Sequence, residues 1–281
     1  MAGRLILCAT PIGNLGDISA RVLDALRSAD RIAAEDTRNS RKLLEHFDIH
    51  TPMISYHENN RYDRGRELIG RMRGGETIAL ITDAGTPAIS DPGEELVAMA
   101  AEAGIEVTSL PGPAACITAL TLSGLSTKRF VMEGFLPRDK KDRAAVLEEL
   151  RKETRTIVLY EAPHRLEKTL AELAEALGAD RRAAVARELT KLHEEVVRTT
   201  LGAAAETAAA VKPRGEYVVV IEGKSSTAVQ EESREAWERM GLEEHMRLYL
   251  EQGLEEKEAM KCVARDLGCG KRDVYAAWKK I

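Results

Sequence analysis

The chain has 281 residues, of which 44% are hydrophobic, 31% charged and 4% aromatic, with a formal net charge of −5. This composition excludes a disordered chain and a protein that coats nucleic acid by bulk positive charge, although a local basic patch remains open. The length favours about two domains, and with so few aromatics their cores must rest on Ala, Leu, Ile and Val.

Arg4–Ala9 reads as a first strand, followed by an amphipathic helix over Asp17–Ser28 that puts Ile18, Val22, Leu23 and Leu26 on one face. Arg31–Ala34 is a second strand running into Glu35 and Asp36, and Ser40–His46 and Asp63–Arg71 carry helical patterns. Thr77–Thr82 is a buried strand, Glu94–Ala103 a helix ended by Gly104, and Glu106–Leu110 a further strand. After Pro113, Ala114–Leu122 is helical, Phe130–Gly134 is a strand and Pro137–Arg143 is a polar stretch. Thr156–Leu159, Ala183–Arg187 and Glu216–Glu222 read as strands around a helix at Arg165–Leu177. The closer spacing of these last strands suits a mixed sheet. Lys224–Glu232 has linker composition, and from Ser233 only helical patterns appear. The expected fold class is α/β: two α/β domains (residues 1–113 and 114–224) with a cofactor cleft between them, then a small C-terminal helical, helix-turn-helix-like domain (residues 233–281).

No segment approaches the roughly 20 apolar residues of a membrane span. The short apolar run before Pro11 reads as a buried strand rather than a signal peptide. Cys8, Cys116, Cys262 and Cys269 form no CxxC pair, which suits a reducing, cytoplasmic setting. No two histidines lie at metal-ligand spacing with acidic partners, so no metal is expected.

Three loops rich in Gly and Pro each follow an expected buried strand: Thr10–Asp17, Thr82–Gly93 and Leu110–Ala115. One such loop alone is most simply a tight turn. Three at successive strand C-termini lean on one crevice and point to a ligand site. A dinucleotide is weakly supported: Gly13-Asn14-Leu15-Gly16, with Glu35 further on, is half of a GxGxxG fingerprint, but Pro11 stands where its first glycine belongs.

The runs ATPIGNLGDIS, AAEDTRNSRKLL, ITDAGTPAISDPGEELV, LPGPAACITALTLSGL, FVMEGF followed by LPR, YEAPHRL, RELTKLHEE and RGEYVVVIEG resemble the ribosomal RNA small-subunit cytidine 2′-O-methyltransferase family. That family belongs to the tetrapyrrole-methylase-like superfamily, and the resemblance runs from about Leu5 to Glu222. It implies 2′-O-methylation of a cytidine in 16S ribosomal RNA, S-adenosylmethionine as cofactor, the small-subunit RNA or assembled subunit as partner, and a homodimer. It also implies cofactor contacts at Pro11 and Gly13, at Asp83, Gly85, Thr86 and Pro87, and at Gly112, Pro113, Ala114 and Ala115.

Methyl transfer to oxygen benefits from a base near the attacking hydroxyl. Glu35 and Asp36 with Arg38, Glu133, and Glu161 with His164 and Arg165 stand on expected loop edges. These residues have equally ordinary uses: Asp36 as a helix cap and Glu161 as an i,i+4 partner of Arg165. Arg41, Arg138 and Arg165 suit RNA phosphates. The tail is locally basic, with Lys271 and Arg272 opening its last helix, although a solvated cap would look the same. Two other readings stay open: a tetrapyrrole or other small-molecule methyltransferase, and a non-catalytic ligand- or RNA-binding module.

Overall fold

The computed structural model describes residues 3–225, 227–229, 237 and 239–280. Its first sheet holds β1 (Arg4–Cys8), β2 (Arg31–Ala34), β3 (Met53–Ser55), β4 (Ile78–Ile81) and β5 (Glu106–Leu110). The strand order is β3-β2-β4-β1-β5 and every pairing is parallel. A parallel sheet needs cover on both faces, and its central strands are accordingly apolar throughout. Ile6, Ile32 and Ile81 pack with Val22 and Leu26 of α1 (Ala20–Ser28) and Leu44 of α2 (Thr37–His46). The alternate residues Leu5, Ala33 and Leu80 face Leu68 and Met72 of α3 (Arg61–Arg73) and Leu96 of α4 (Gly93–Glu102). The helix start at Ala20 is set by Ser19, whose hydroxyl accepts from the Val22 amide at 3.2 Å, an N-cap of about 1 kcal/mol.

The second sheet is mixed. Its strands are β6 (Phe130–Phe135), β7 (Thr156–Glu161), β8 (Arg182–Arg187), β9 (Glu195–Thr200) and β10 (Tyr217–Ile221), in the order β6-β7-β10-β8-β9. Only β6 and β7 pair in parallel; the other neighbours are antiparallel. One face meets α5 (Ala115–Leu122) through Cys116, Ala119 and Leu120. The other carries α6 (Lys140–Lys152), α7 (Pro163–Leu177) and α8 (Leu201–Ala210), packed through Leu150, Leu166, Leu173 and Leu201.

Residues 3–150 with 156–222 form one compact unit, and residues 151–155 with those after 222 form a second. The second contains α9 (Leu242–Glu251), α10 (Glu256–Asp266) and α11 (Lys271–Trp278) around Met246, Met260, Val263 and Val274. Trp237 stacks on the buried His245 ring at 4.1 Å, and the Trp278 indole donates to Glu256 at 2.8 Å, so both tryptophans pack the helical unit. The expected linker at Lys224–Glu232 falls partly, and the helical start at Ser233 wholly, outside the described residues. Among those described, no helix is long and apolar enough to cross a membrane. Likewise, no group of three or more His, Cys, Asp or Glu could hold a metal ion.

The elements that the amphipathic pattern left out are β3, β9, α8 and most of α6. The polar stretch Pro137–Arg143 proves to be the entry to α6, with Asp139 accepting from the Lys141 amide at 2.8 Å.

Candidate active site

The winding order of the first sheet reverses where β1 lies between β4 and β5. The chain leaving β1 turns toward β2, and the chain leaving β4 crosses to β5, which opens a crevice at the strand C-termini. A cavity of about 520 Å³ occupies this crevice, bounded on its other side by β7, β10 and the loop after β8.

The three Gly/Pro loops are tied to one another. Thr10 and Gly85 exchange two backbone hydrogen bonds, of 2.9 and 3.1 Å, in an isolated antiparallel bridge. The Thr10 hydroxyl donates to the Thr82 carbonyl at 3.1 Å, and the Thr86 hydroxyl to the Pro113 carbonyl at 2.9 Å. Gly85, at φ 88°, takes a backbone conformation that side chains disfavour. Gly112 is needed for space: a Cβ there would stand 2.6 Å from Ala9 Cβ.

The second loop is strained. Ala88 and Ser90 have φ of 69° and 62°, and such non-glycine conformations persist only where their surroundings impose them. Here Asp91 imposes them, one carboxylate oxygen accepting from the amides of Ala88 (3.0 Å) and Gly93 (2.7 Å). Among the described residues its second oxygen is buried without a partner, and burial pushes this carboxyl above the usual aspartate range.

An acidic corner closes the cavity beside β2. The Glu35 carboxylate accepts from the Thr82 hydroxyl at 2.8 Å. Asp83 accepts from the Asp36 amide at 3.1 Å and from the Asn39 side chain at 3.5 Å. Burial, and then the neighbouring Glu35, raise the Asp83 carboxyl. Asp36 caps α2 through the Arg38 amide and pairs with the Arg38 guanidinium at 2.9 Å, hydrogen bonds that hold its carboxyl down at about 2.

Across the cavity Glu161 is 2% exposed and engaged at both oxygens. It accepts from the Ala162 amide (2.9 Å) and the Thr169 hydroxyl (2.5 Å), with Arg165 Nε 3.5 Å away. Arg143 continues the network, donating to Thr169 at 2.8 Å and to Glu172 at 2.5 Å. Arg165 also donates to the Leu136 carbonyl at 2.9 Å. The Tyr160 hydroxyl accepts from the Cys116 amide at 3.3 Å, taking the place of a side-chain cap on α5, and burial raises its pKa.

The cavity therefore gathers Glu35, Asp83, Gly85, Thr86, Ala114, Ala115, Glu161 and His164 from the residues expected on sequence grounds. Pro11, Gly13, Pro87, Gly112 and Pro113 lie in the framing loops outside its lining. Asp36 and Arg38 sit beside it at the start of α2, while Arg41 and Arg138 are exposed on the same unit. Lys271 and Arg272 are exposed at the start of α11, in the helical unit. Sequence reasoning did not single out Tyr160, Ser90 or Phe135 as lining groups, nor the apolar wall of Ile12, Leu189 and Val218. Phe135 ends β6 and Tyr160 stands one residue before the end of β7, the one signal that could have marked them; the apolar residues look like ordinary core.

Comparison with known proteins places this geometry. Residues 4–205 match the model of the Tetrapyrrole (Corrin/Porphyrin) Methylases. The chain is 47% identical over 273 residues to the Ribosomal RNA small subunit methyltransferase I of Synechocystis, covering 97% of this chain and 96% of that protein. It is 46% identical to the Bacillus subtilis protein of the same name, over 98% of this chain and 94% of the other. Uroporphyrin-III C-methyltransferase from Thermus thermophilus, solved in complex with S-adenosyl homocysteine, shares the fold at 18% identity. Its TM-score is 0.57, with 78% of this chain and 97% of that one covered. The chain belongs to the tetrapyrrole methylase family and, within it, to the ribosomal RNA small subunit methyltransferase I group.

Proposed function

We propose that the protein uses S-adenosylmethionine to methylate the ribose 2′-oxygen of a cytidine in 16S ribosomal RNA. The observation that carries this reading is the near-full-length identity to relatives named Ribosomal RNA small subunit methyltransferase I, which spans both sheets and the helical unit. Action in the cytoplasm, on small-subunit RNA either free or assembled into the subunit, by a homodimer of this chain, belongs to the same proposal.

The cavity fits such a cofactor. Its volume of about 520 Å³ lies inside the range of roughly 300–1,000 Å³ usual for small-molecule sites. It offers an apolar wall at Ile12, Leu189 and Val218, and a carboxylate at Asp83 suited to an ammonium group. Ala114 and Ala115 at the start of α5 line the cavity, and the backbone there suits a carboxylate, although the Cys116 amide is already taken by Tyr160. When bound, the cofactor supplies an electrophilic methyl group. The chain's own work is to hold the acceptor hydroxyl, exclude water and remove its proton. Glu35 is the carboxylate best suited to take that proton. It lines the cavity and, among the described residues, is hydrogen bonded through one oxygen only. Glu161, with both oxygens engaged, acts as a positioning residue for the start of α7. Arg41 and Arg138 on the α/β unit and Lys271 and Arg272 on the helical unit supply phosphate contacts.

The test is transfer of labelled methyl from S-adenosylmethionine to naked small-subunit RNA, to small subunits from a bacterium lacking the family member, and to a tetrapyrrole precursor. Label on the RNA ribose is expected. Label on the tetrapyrrole alone, or none at all, would overturn the assignment.

A further inference from the structure

We propose that Phe135 is the platform on which the base of the target nucleotide stacks, with Ile89 as the facing apolar wall. The inference rests on the RNA reading above.

The chain contains three phenylalanines, yet Phe135 is 53% exposed while lining the cavity. Its direction is built into β6. Val131 and Met132 pair in register with Ile157 and Val158 of β7; Gly134, rather than Glu133, then pairs with Leu159. This bulge, made at Gly134 with φ 71°, adds one residue to the strand. In unbroken alternation, Phe135 would share a face with Val131 and point toward α6 and α7. The bulge turns it to the Tyr160 side, where the two residues pair across the ladder with ring centroids 5.6 Å apart. Tyr160 is itself fixed by the Cys116 amide on its hydroxyl, so the Phe135 ring has a rigid backing on one side and an open side at the cavity.

A second observation is independent of the first. Ile89 stands between the two positive-φ residues Ala88 and Ser90, is 48% exposed and lines the same cavity. The Asp91 hydrogen bonds that hold this strained turn thus hold an apolar side chain in solvent. Two distortions of the backbone, on opposite sheets, each present a large apolar group to one opening. Such groups meet unfavourable hydration unless something apolar covers them, and the flat face of a nucleobase both does so and stacks on an aromatic ring. Neither side chain offers a hydrogen bond, so the platform holds the base without reading its edge, and any base identity must be read elsewhere.

The experiment compares the whole protein with Phe135→Ala and Phe135→Trp in methyl transfer to undermethylated small subunits. S-adenosylmethionine affinity by calorimetry and thermal midpoints are followed alongside. Loss of one stacked base corresponds to roughly a 10- to 100-fold fall in kcat/KM, expected for Phe135→Ala and mainly as a raised KM for RNA. Phe135→Trp should stay near wild type, and cofactor affinity should be unchanged in both. If Phe135→Ala transfers methyl as well as wild type, or weakens the cofactor as much as the RNA, the platform is refuted while the RNA reading stands. Equal damage from Trp and Ala also refutes it. A wild-type protein that labels no RNA overturns the RNA reading and the platform with it.

Discussion

Replacing Glu161 with Gln separates a structural carboxylate from a base. Glu161 accepts two short hydrogen bonds, from the Ala162 amide and the Thr169 hydroxyl. That hydroxyl in turn accepts from Arg143. The introduced amide NH₂ can replace only one oxygen, and facing Thr169 it would donate where the carboxylate accepted. The Thr169 hydroxyl could accept from both that amide and Arg143, but its own proton would then have no acceptor in a buried site. Leaving one buried polar group unmet costs about 1–3 kcal/mol. For a unit of this size that lowers the unfolding midpoint by roughly 2–12 °C. Glu161→Ala removes the acceptor of the Ala162 amide and Thr169 hydroxyl and the carboxylate beside Arg165, at about 3–5 kcal/mol. The assay pairs thermal unfolding with methyl transfer measured well below the midpoint. Glu161→Gln is expected to be less stable yet active at low temperature, and to keep the wild-type dependence of kcat on pH. A Glu161→Gln protein as stable as wild type but slowed by about 100-fold or more, the scale of general base catalysis, would refute this reasoning and make Glu161 the base.

Gly112→Ala places a methyl 2.6 Å from Ala9 Cβ, where the third loop lies against the end of β1. It should cost about 1–3 kcal/mol by thermal unfolding and weaken cofactor binding in calorimetry, because the third loop must move off the first. Asp83 has a carboxyl raised by burial and by Glu35, so the folded state holds its proton longer than the unfolded chain does. Its ionisation therefore removes stability as pH climbs past the ordinary aspartate value of 3.8. Asp83→Asn should melt higher than wild type at about pH 7 and converge with it near about pH 3, while losing cofactor affinity. Lys271→Ala with Arg272→Ala should weaken small-subunit RNA binding without sequence preference. The slope of log affinity against log salt should fall by about 1.4–1.8, as for two lost phosphate contacts.

Much of the fold was legible because parallel strands buried on both faces leave short, uninterrupted apolar runs. Arg31–Ala34 is a strand over the very residues that the pattern marks, and Ile78–Ile81 fills the apolar run expected over Thr77–Thr82. The three loops were legible for a similar reason: their Gly and Pro residues report the turns directly, and the structure bonds these loops together. Elements without such a signal were not. β3 is three half-buried residues, β9 lies on the sheet border and shows mostly exposed or half-buried residues, and α8 is so rich in alanine that no face stands out. Within the site, Glu35, Asp83 and Glu161 could be nominated by type and position, but not ranked. Their difference lies in which oxygens are already bonded, and those partners, Thr82, Asn39 and Thr169, come from elsewhere in the fold. Phe135 was illegible for a sharper reason: regular alternation gives it the wrong face, and only the bulge corrects it.

The bridge between Thr10 and Gly85 bears on how ligands compete for the crevice. The bond donors and acceptors that fix the loops belong to the chain itself, so the walls stand ready without a conformational toll on arrival. An incoming cofactor and its demethylated product meet the same preassembled surface. Whatever the bridge contributes therefore falls on both equally and cannot help the enzyme tell them apart. Under the proposed function, any discrimination between the two therefore falls to groups near the transferred methyl or to departure of the RNA.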